Sequence, residues 1–189
     1  MRTILNIRGT SGSGKSTVVR GLMARHTLVQ PLGDSKKPDG YECAENDRIS
    51  LFVVGNYESD CGGCDRIRTP EEIAERVRKY AKLGDVVFEG LLITRTFARY
   101  QDLNRELKDH RYIWAFLNTP LETCIQRVKI RRESKGNFKP FNPKNTEDTW
   151  NRNRRAYQKA KAAGLDARWL SWDASIENAW AWLNGWVTE

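Results

Sequence analysis

Residues 9–16 read Gly9-Thr10-Ser11-Gly12-Ser13-Gly14-Lys15-Ser16, a complete G-x-x-x-x-G-K-[ST] phosphate-binding loop. Before it, Ile4-Leu5-Asn6-Ile7 reads as a short buried strand. After it, Ser16 to Arg25 reads as a helix with Val18, Val19, Leu22 and Met23 on one side. A strand, a glycine loop and a helix start in that order gather backbone N–H groups around one anion. On this spacing Gly9, Thr10, Ser11, Gly12, Ser13, Gly14, Lys15, Ser16 and Thr17 make the cradle. Lys15 adds a point charge that can follow the terminal phosphates, and the Ser16 hydroxyl is placed to ligate Mg²⁺. A chance glycine turn would not bring the lysine, the serine and both flanking elements with it. The loop predicts a nucleoside triphosphate site.

Working outward, strand-like and helix-like stretches alternate, which predicts a mostly parallel sheet with helices on both faces. The strands are expected at residues 4–7, 49–55, 86–88, 112–117 and 168–172, giving five strands in one sheet. Residues 30–47, with Pro31, Gly33, Pro38 and Gly40, read as irregular. Thr69-Pro70-Glu71-Glu72 is a helix start with a capping hydroxyl, proline at the first helical position and Glu three residues past the cap. Residues 131–145 are polar, basic and broken by Gly136, Pro140 and Pro143, and read as a mobile lid, after which Thr146 is expected to cap a helix running to Ala163.

A chain of 189 residues suits one domain, 1–189, with a real core. It holds no apolar run long enough to span a membrane. The first strand starts almost at once, and four cysteines without a secretory signal fit a reducing cytoplasm, that of the host cell if the protein is viral. Thirty-two Lys and Arg against 24 Asp and Glu give +8, a balance that suits a polyanionic partner.

Glu89 follows the strand Val86-Val87-Phe88, where an acid faces the ligand crevice and can hold Mg²⁺. Arg127 and Arg131, four apart on the helix that leads into the lid, share a side and can neutralise charge on a phosphoryl group in flight. The loop at 56–68 is the acceptor-side candidate. Asp60 is the first choice for the base that relieves an acceptor hydroxyl of its proton, and Glu58 the second. Asn56 and Tyr57 could contact an acceptor base by an amide hydrogen bond and by stacking. Cys61-Gly62-Gly63-Cys64 has the spacing of half a zinc site without a second half, so its glycines point instead to a close approach of the backbone to a substrate. Trp150 begins a helix rich in Arg and Lys, which suits either base stacking or a solvated basic side.

The loop, Glu89 at a strand end and the arginine-bearing helix before a lid together resemble the P-loop nucleoside and nucleotide kinase superfamily, over nearly the whole chain. That resemblance implies a three-layer α/β/α fold with a five-stranded parallel sheet, and γ-phosphoryl transfer from ATP with Mg²⁺. More narrowly, Val54-Gly55-Asn56-Tyr57-Glu58-Ser59-Asp60-Cys61-Gly62-Gly63-Cys64-Asp65 resembles the bacteriophage kinases that phosphorylate 5-hydroxymethyluridine within DNA. The implied partner is DNA containing 5-hydroxymethyluracil, and the implied role is a step in phage thymidine hypermodification. A kinase of a free nucleoside, nucleotide or other small metabolite is the alternative.

Overall fold

A computed structural model describes residues 1–34, 36–45, 50–59 and 62–186. In chain order the elements are β1 (Thr3–Arg8), α1 (Lys15–Met23), β2 (Leu28–Asp34), β3 (Lys37–Ala44), β4 (Leu51–Val54), a 3-10 turn (Cys64–Arg66), α2 (Pro70–Ala81), β5 (Asp85–Glu89), α3 (Leu91–Arg95), α4 (Phe97–Glu106), β6 (Arg111–Leu117), α5 (Leu121–Ser134), α6 (Lys144–Ala162), β7 (Ala167–Leu170) and α7 (Ser175–Leu183). They build one sheet in the order β2-β3-β4-β5-β1-β6-β7. The five strands from β4 to β7 run parallel, with Ile7 opposite both Glu89 and Ala115. Both faces of this part are covered, which is why its strands read as nearly unbroken apolar runs.

Alternation along β1 sorts the two cores. Ile4 packs with Phe88, Trp114, Ile73, Val77 and Leu103 on one face. Leu5 and Ile7 pack with Val18, Leu22, Ala179 and Trp182 on the other. Arg8, next to the glycine loop, is fully buried on the first face. Its guanidinium lies 4.3 Å from the Trp114 ring centroid, boxed further by Phe97, Tyr100 and Phe116. Burial brings its pKa down to about 10, so it stays cationic at neutral pH.

The sheet has seven strands, not five. The stretch 30–47, expected to be irregular, holds most of an antiparallel hairpin, with β3 antiparallel to both β2 and β4. Pro31 and Gly33 do not prevent it because β2 is the edge strand, where a missing N–H costs little. The register shifts between Leu32 and Gly33, where Gly33 has φ 83°.

Thr69 caps α2 as its sequence requires, accepting from the Glu72 N–H at 3.2 Å. The expected lid is partly helical: α5 runs through Ser134, and α6 starts at Lys144 rather than after Thr146. Between them, Arg132 shapes the connection by donating to Asn137 Oδ1 (3.3 Å) and the Lys139 carbonyl (3.1 Å). Among the described residues no helix is long and apolar enough to cross a membrane.

Candidate active site

The glycine loop bends over the carboxyl end of β1, at the point where the sheet's connections diverge to either side. Gly12 and Gly14 have φ of 78° and 98°, a left-handed path that glycine adopts without strain. A Cβ at Gly12 would also run into the Cys124 carbonyl of α5. Three threonine hydroxyls tie the loop to its surroundings. Thr119 donates to the Ser13 carbonyl (2.7 Å), Thr10 to the Thr146 carbonyl (3.1 Å), and Thr94 accepts from the Gly9 N–H (3.4 Å). Lys15 donates to the Gly9 and Thr10 carbonyls, 3.1 Å each, which holds its ammonium inside the loop. The first turn of α1 has no side-chain cap, so its N–H groups are available to an anion.

Around this loop is a cavity of about 320 Å³ that brings together Lys15, Ser16, Glu89, Arg127 and Arg131. Glu89 ends β5 and is buried, with Ser16 Oγ donating to its Oε1 at 2.7 Å. Burial raises the Glu89 pKa above the ordinary glutamate value, while Lys15 and the Ser16 hydrogen bond oppose that shift. Arg127 donates to the Gly12 carbonyl at 3.4 Å. Ser16 and Glu89 are hard oxygen donors, and a pair of them fits Mg²⁺, which keeps several waters and takes the rest of its ligands from phosphate. No group of three or more His, Cys, Asp or Glu able to hold a metal occurs among the described residues. Of the Cys61 and Cys64 pair, Cys61 lies outside the described residues, and burial pushes the Cys64 thiol well above its usual range.

The acceptor-side candidates are placed differently. Asp60 also lies outside the described residues. Asn56 is buried and accepts from the Glu58 N–H at 3.0 Å, closing a local turn. Tyr57 is buried too, with its hydroxyl 3.5 Å from Glu89 Oε1 and Arg20 packed 5.8 Å from its ring centroid. Glu58 accepts from the Tyr41 hydroxyl at 2.6 Å and faces a separate concavity with Met23 and Tyr41. These residues hold the loop's shape, and none of the three lines the phosphate cavity.

Three residues that the sequence reading passed over do line it: Asp65, Arg20 and Trp172. Asp65 accepts from the Leu91 N–H at 2.6 Å, which fixes its carboxylate at the start of α3. Its position depends on Gly63, at φ 83°, where a Cβ would strike the Glu89 carboxylate. The Asn56–Gly63 bridge then folds the loop back on itself, with N–H···O distances of 2.8 and 3.2 Å. Arg20 ties that loop to α1 by donating to the Tyr57 (3.2 Å) and Ser59 (2.5 Å) carbonyls. Trp172, half exposed after β7, packs against Arg127 at 5.8 Å. Of the two glycines expected to bring the backbone close to a substrate, Gly63 lies against the Glu89 carboxylate.

Comparison with known proteins adds relatives. The chain is 40% identical over 166 residues to the 5-hmdU DNA kinase of Pseudomonas phage PaMx11, covering 86% of this chain and 87% of that one. It is 28% identical over 192 residues to the 5-hmdU DNA kinase of Pseudomonas phage M6, covering 92% and 94%. It is 31% identical over 176 residues to that of Delftia phage PhiW-14, covering 86% of this chain and 65% of the relative. Among solved structures, deoxyadenosine kinase from M. mycoides shares the fold, with a TM-score of 0.51 at 16% identity over 96% of this chain and 99% of the other. No protein-family model matches.

Proposed function

This chain belongs to the 5-hmdU DNA kinases, and from that premise we propose that it moves the γ-phosphoryl group of ATP to the hydroxymethyl oxygen of 5-hydroxymethyluracil in DNA. The observation that carries the chemistry is the convergence of Lys15, Arg127 and Arg131 on a left-handed glycine loop beside the Ser16–Glu89 pair. In the transfer, the acceptor oxygen forms a bond to the γ-phosphorus as the bond to the β–γ bridging oxygen breaks. ADP departs, and the hydroxyl proton passes to a carboxylate.

The loop N–H groups and Lys15 hold the β- and γ-phosphates. Arg127 and Arg131 stabilise charge as it moves toward the leaving oxygen. Ser16 and Glu89 would hold Mg²⁺, which neutralises charge between the β- and γ-phosphates when bound. Trp172, beside Arg127, is placed to pack against the donor base. For the base, two carboxylates of the acceptor-side loop compete: Asp60 by its position in the chain, and Asp65 because it lines the phosphate cavity. The target base would have to leave the duplex stack to bring its oxygen in line.

The test is incubation with labelled ATP and, in parallel, hydroxymethyluracil-containing DNA, unmodified DNA and free 5-hydroxymethyldeoxyuridine. Label in the modified DNA alone is the expected outcome. Label only in the free nucleoside would transfer the assignment to small-molecule kinases.

A further inference from the structure

The net positive charge of this protein comes from one stretch of chain. Residues 127–161 carry 12 Lys and Arg against three acids, Glu133, Glu147 and Asp148. The remaining residues carry 20 basic and 21 acidic groups, so the rest of the molecule is nearly neutral. The stretch is the end of α5, the connection and most of α6. It starts at the phosphate cavity, because Arg127 and Arg131 line that cavity.

On α6, Thr149, Asn153, Ala156 and Ala160 form the buried face. Arg152, Arg155 and Lys159 are spaced three and four apart, so they form one exposed row beside that face. The row lies on the side of α4, since the Lys159 ammonium is 4.6 Å from the Phe97 ring centroid. Asp148, one turn earlier, is the acid on the same side. Several half-buried arginines elsewhere are paired: Arg76 with Asp39, Arg78 with Glu71 and Glu106, Arg168 with Asp166. Arg152 and Arg155 have no carboxylate partner among the described residues. Arg152 and Arg155 hold no part of the fold through an ion pair, and exposed cations of this kind attract a polyanion.

We infer that the DNA backbone docks along residues 127–161, with Arg152, Arg155 and Lys159 gripping consecutive phosphates of the strand that enters the cleft. The row is about 10 Å long at the helical rise. Over that length one strand of a duplex presents about three phosphates. The inference rests on the DNA-kinase reading above and adds to it the surface that reads the polymer. It also separates two tasks along one basic stretch: Arg127 and Arg131 serve the transferred phosphoryl group, while the α6 row serves the acceptor polymer.

The test compares two triple variants of equal charge. Arg152→Gln/Arg155→Gln/Lys159→Gln removes the row, and Lys36→Gln/Lys82→Gln/Lys108→Gln removes three exposed cations elsewhere. Binding is measured to an unmodified duplex across a salt series, with melting temperature as the folding control. KM for hydroxymethyluracil DNA and the Kd for ATP are read alongside. The row variant should bind the duplex on the order of tenfold more weakly at moderate salt, with a log K against log salt slope shallower by about 2 to 3. Its KM for DNA should rise in step while its ATP Kd stays that of the wild type. The control triple should keep wild-type DNA binding. Equal losses in both variants, or none in the row variant of an enzyme that phosphorylates DNA, would overturn the docking surface alone. A wild-type protein that labels free nucleoside and neither binds nor labels DNA would remove both readings together.

Discussion

On the donor side of the cleft, side chains and backbone reach into the cavity. Gly12 and Gly14 turn the loop through left-handed conformations, and Lys15, Ser16 and Arg127 point at one place. On the acceptor side, the loop after β4 spends its polar groups on itself: Asn56 bonds to Glu58, Glu58 to Tyr41, and Arg20 to two loop carbonyls. The donor cradle has to fit the same polyphosphate in any kinase, so its geometry is bound to a fixed spacing of glycines. The acceptor wall has to fit one base in one polymer, and its shape comes from contacts distant in sequence. The first kind of site is a local property of the chain; the second exists only once the fold has formed.

The largest effect separates the two sides. Lys15→Ala should lower transfer by roughly 10³-fold, because it removes a buried cation from the developing charge. Its melting temperature should stay within a few degrees of wild type, since Lys15 bonds only carbonyls of its own loop. Turnover near normal would break the donor-side assignment. The next effect chooses between carboxylates on the acceptor side. Asp65→Asn and Asp60→Asn are to be compared by kcat and by ATP Kd; the variant of the true base should lose at least about 10²-fold in kcat with ATP affinity kept. If both retain activity, the proton leaves by another route and the acceptor-side account fails.

A smaller effect joins the two sides. Gly63 sits at φ 83°, and its missing Cβ leaves room for the Glu89 carboxylate. Gly63→Ala should cost about 1–3 kcal/mol of stability through the left-handed backbone and the clash. It should also raise the Mg²⁺ concentration needed for half-maximal activity, because it displaces Glu89. A chemical-denaturation series and a Mg²⁺ titration check the two parts. An unchanged Mg²⁺ requirement would mean that the acceptor loop and the proposed metal ligand are independent.

The same contrast explains what the sequence made visible. The parallel strands could be read because burial on both faces leaves continuous apolar runs such as Val86-Val87-Phe88. The place of Glu89 in the cavity could be read because the carboxyl end of a sheet strand faces the ligand crevice. The hairpin of β2 and β3 was hidden because Pro31, Gly33, Pro38 and Gly40 read as breakers; Pro31 and Gly33 are tolerated on the edge strand β2, and Pro38 sits on β3 just beyond its pairing with β4. Tyr57 was read as a stacking contact for an acceptor base because aromatic residues in polar loops often serve ligands. Its burial against Tyr41 and Arg20 depends on partners 16 and 37 residues away. Asp65 carried no motif of its own, and only the folded loop sets it beside Lys15 and Ser16.

The smallest expected effect is the sharpest test of this division, because it falls on a residue that the sequence marked as a candidate base. Glu58 is exposed, and its carboxylate accepts the Tyr41 hydroxyl at 2.6 Å outside the phosphate cavity. Burial is the main reason the Tyr41 pKa is pushed up to about 12, and the hydrogen bond to Glu58 adds to it. Glu58→Gln keeps an oxygen to accept that hydrogen bond and removes only the charge, so kcat on hydroxymethyluracil DNA should change less than about threefold. Titrating the Tyr41 phenol by its absorbance should then show a midpoint lower than in the wild type, since the nearby negative charge that opposes phenolate formation is gone. A loss of 10²-fold or more in kcat would instead place Glu58 at the reacting hydroxyl. The Tyr41 contact would then be one of two arrangements of the loop rather than its working one.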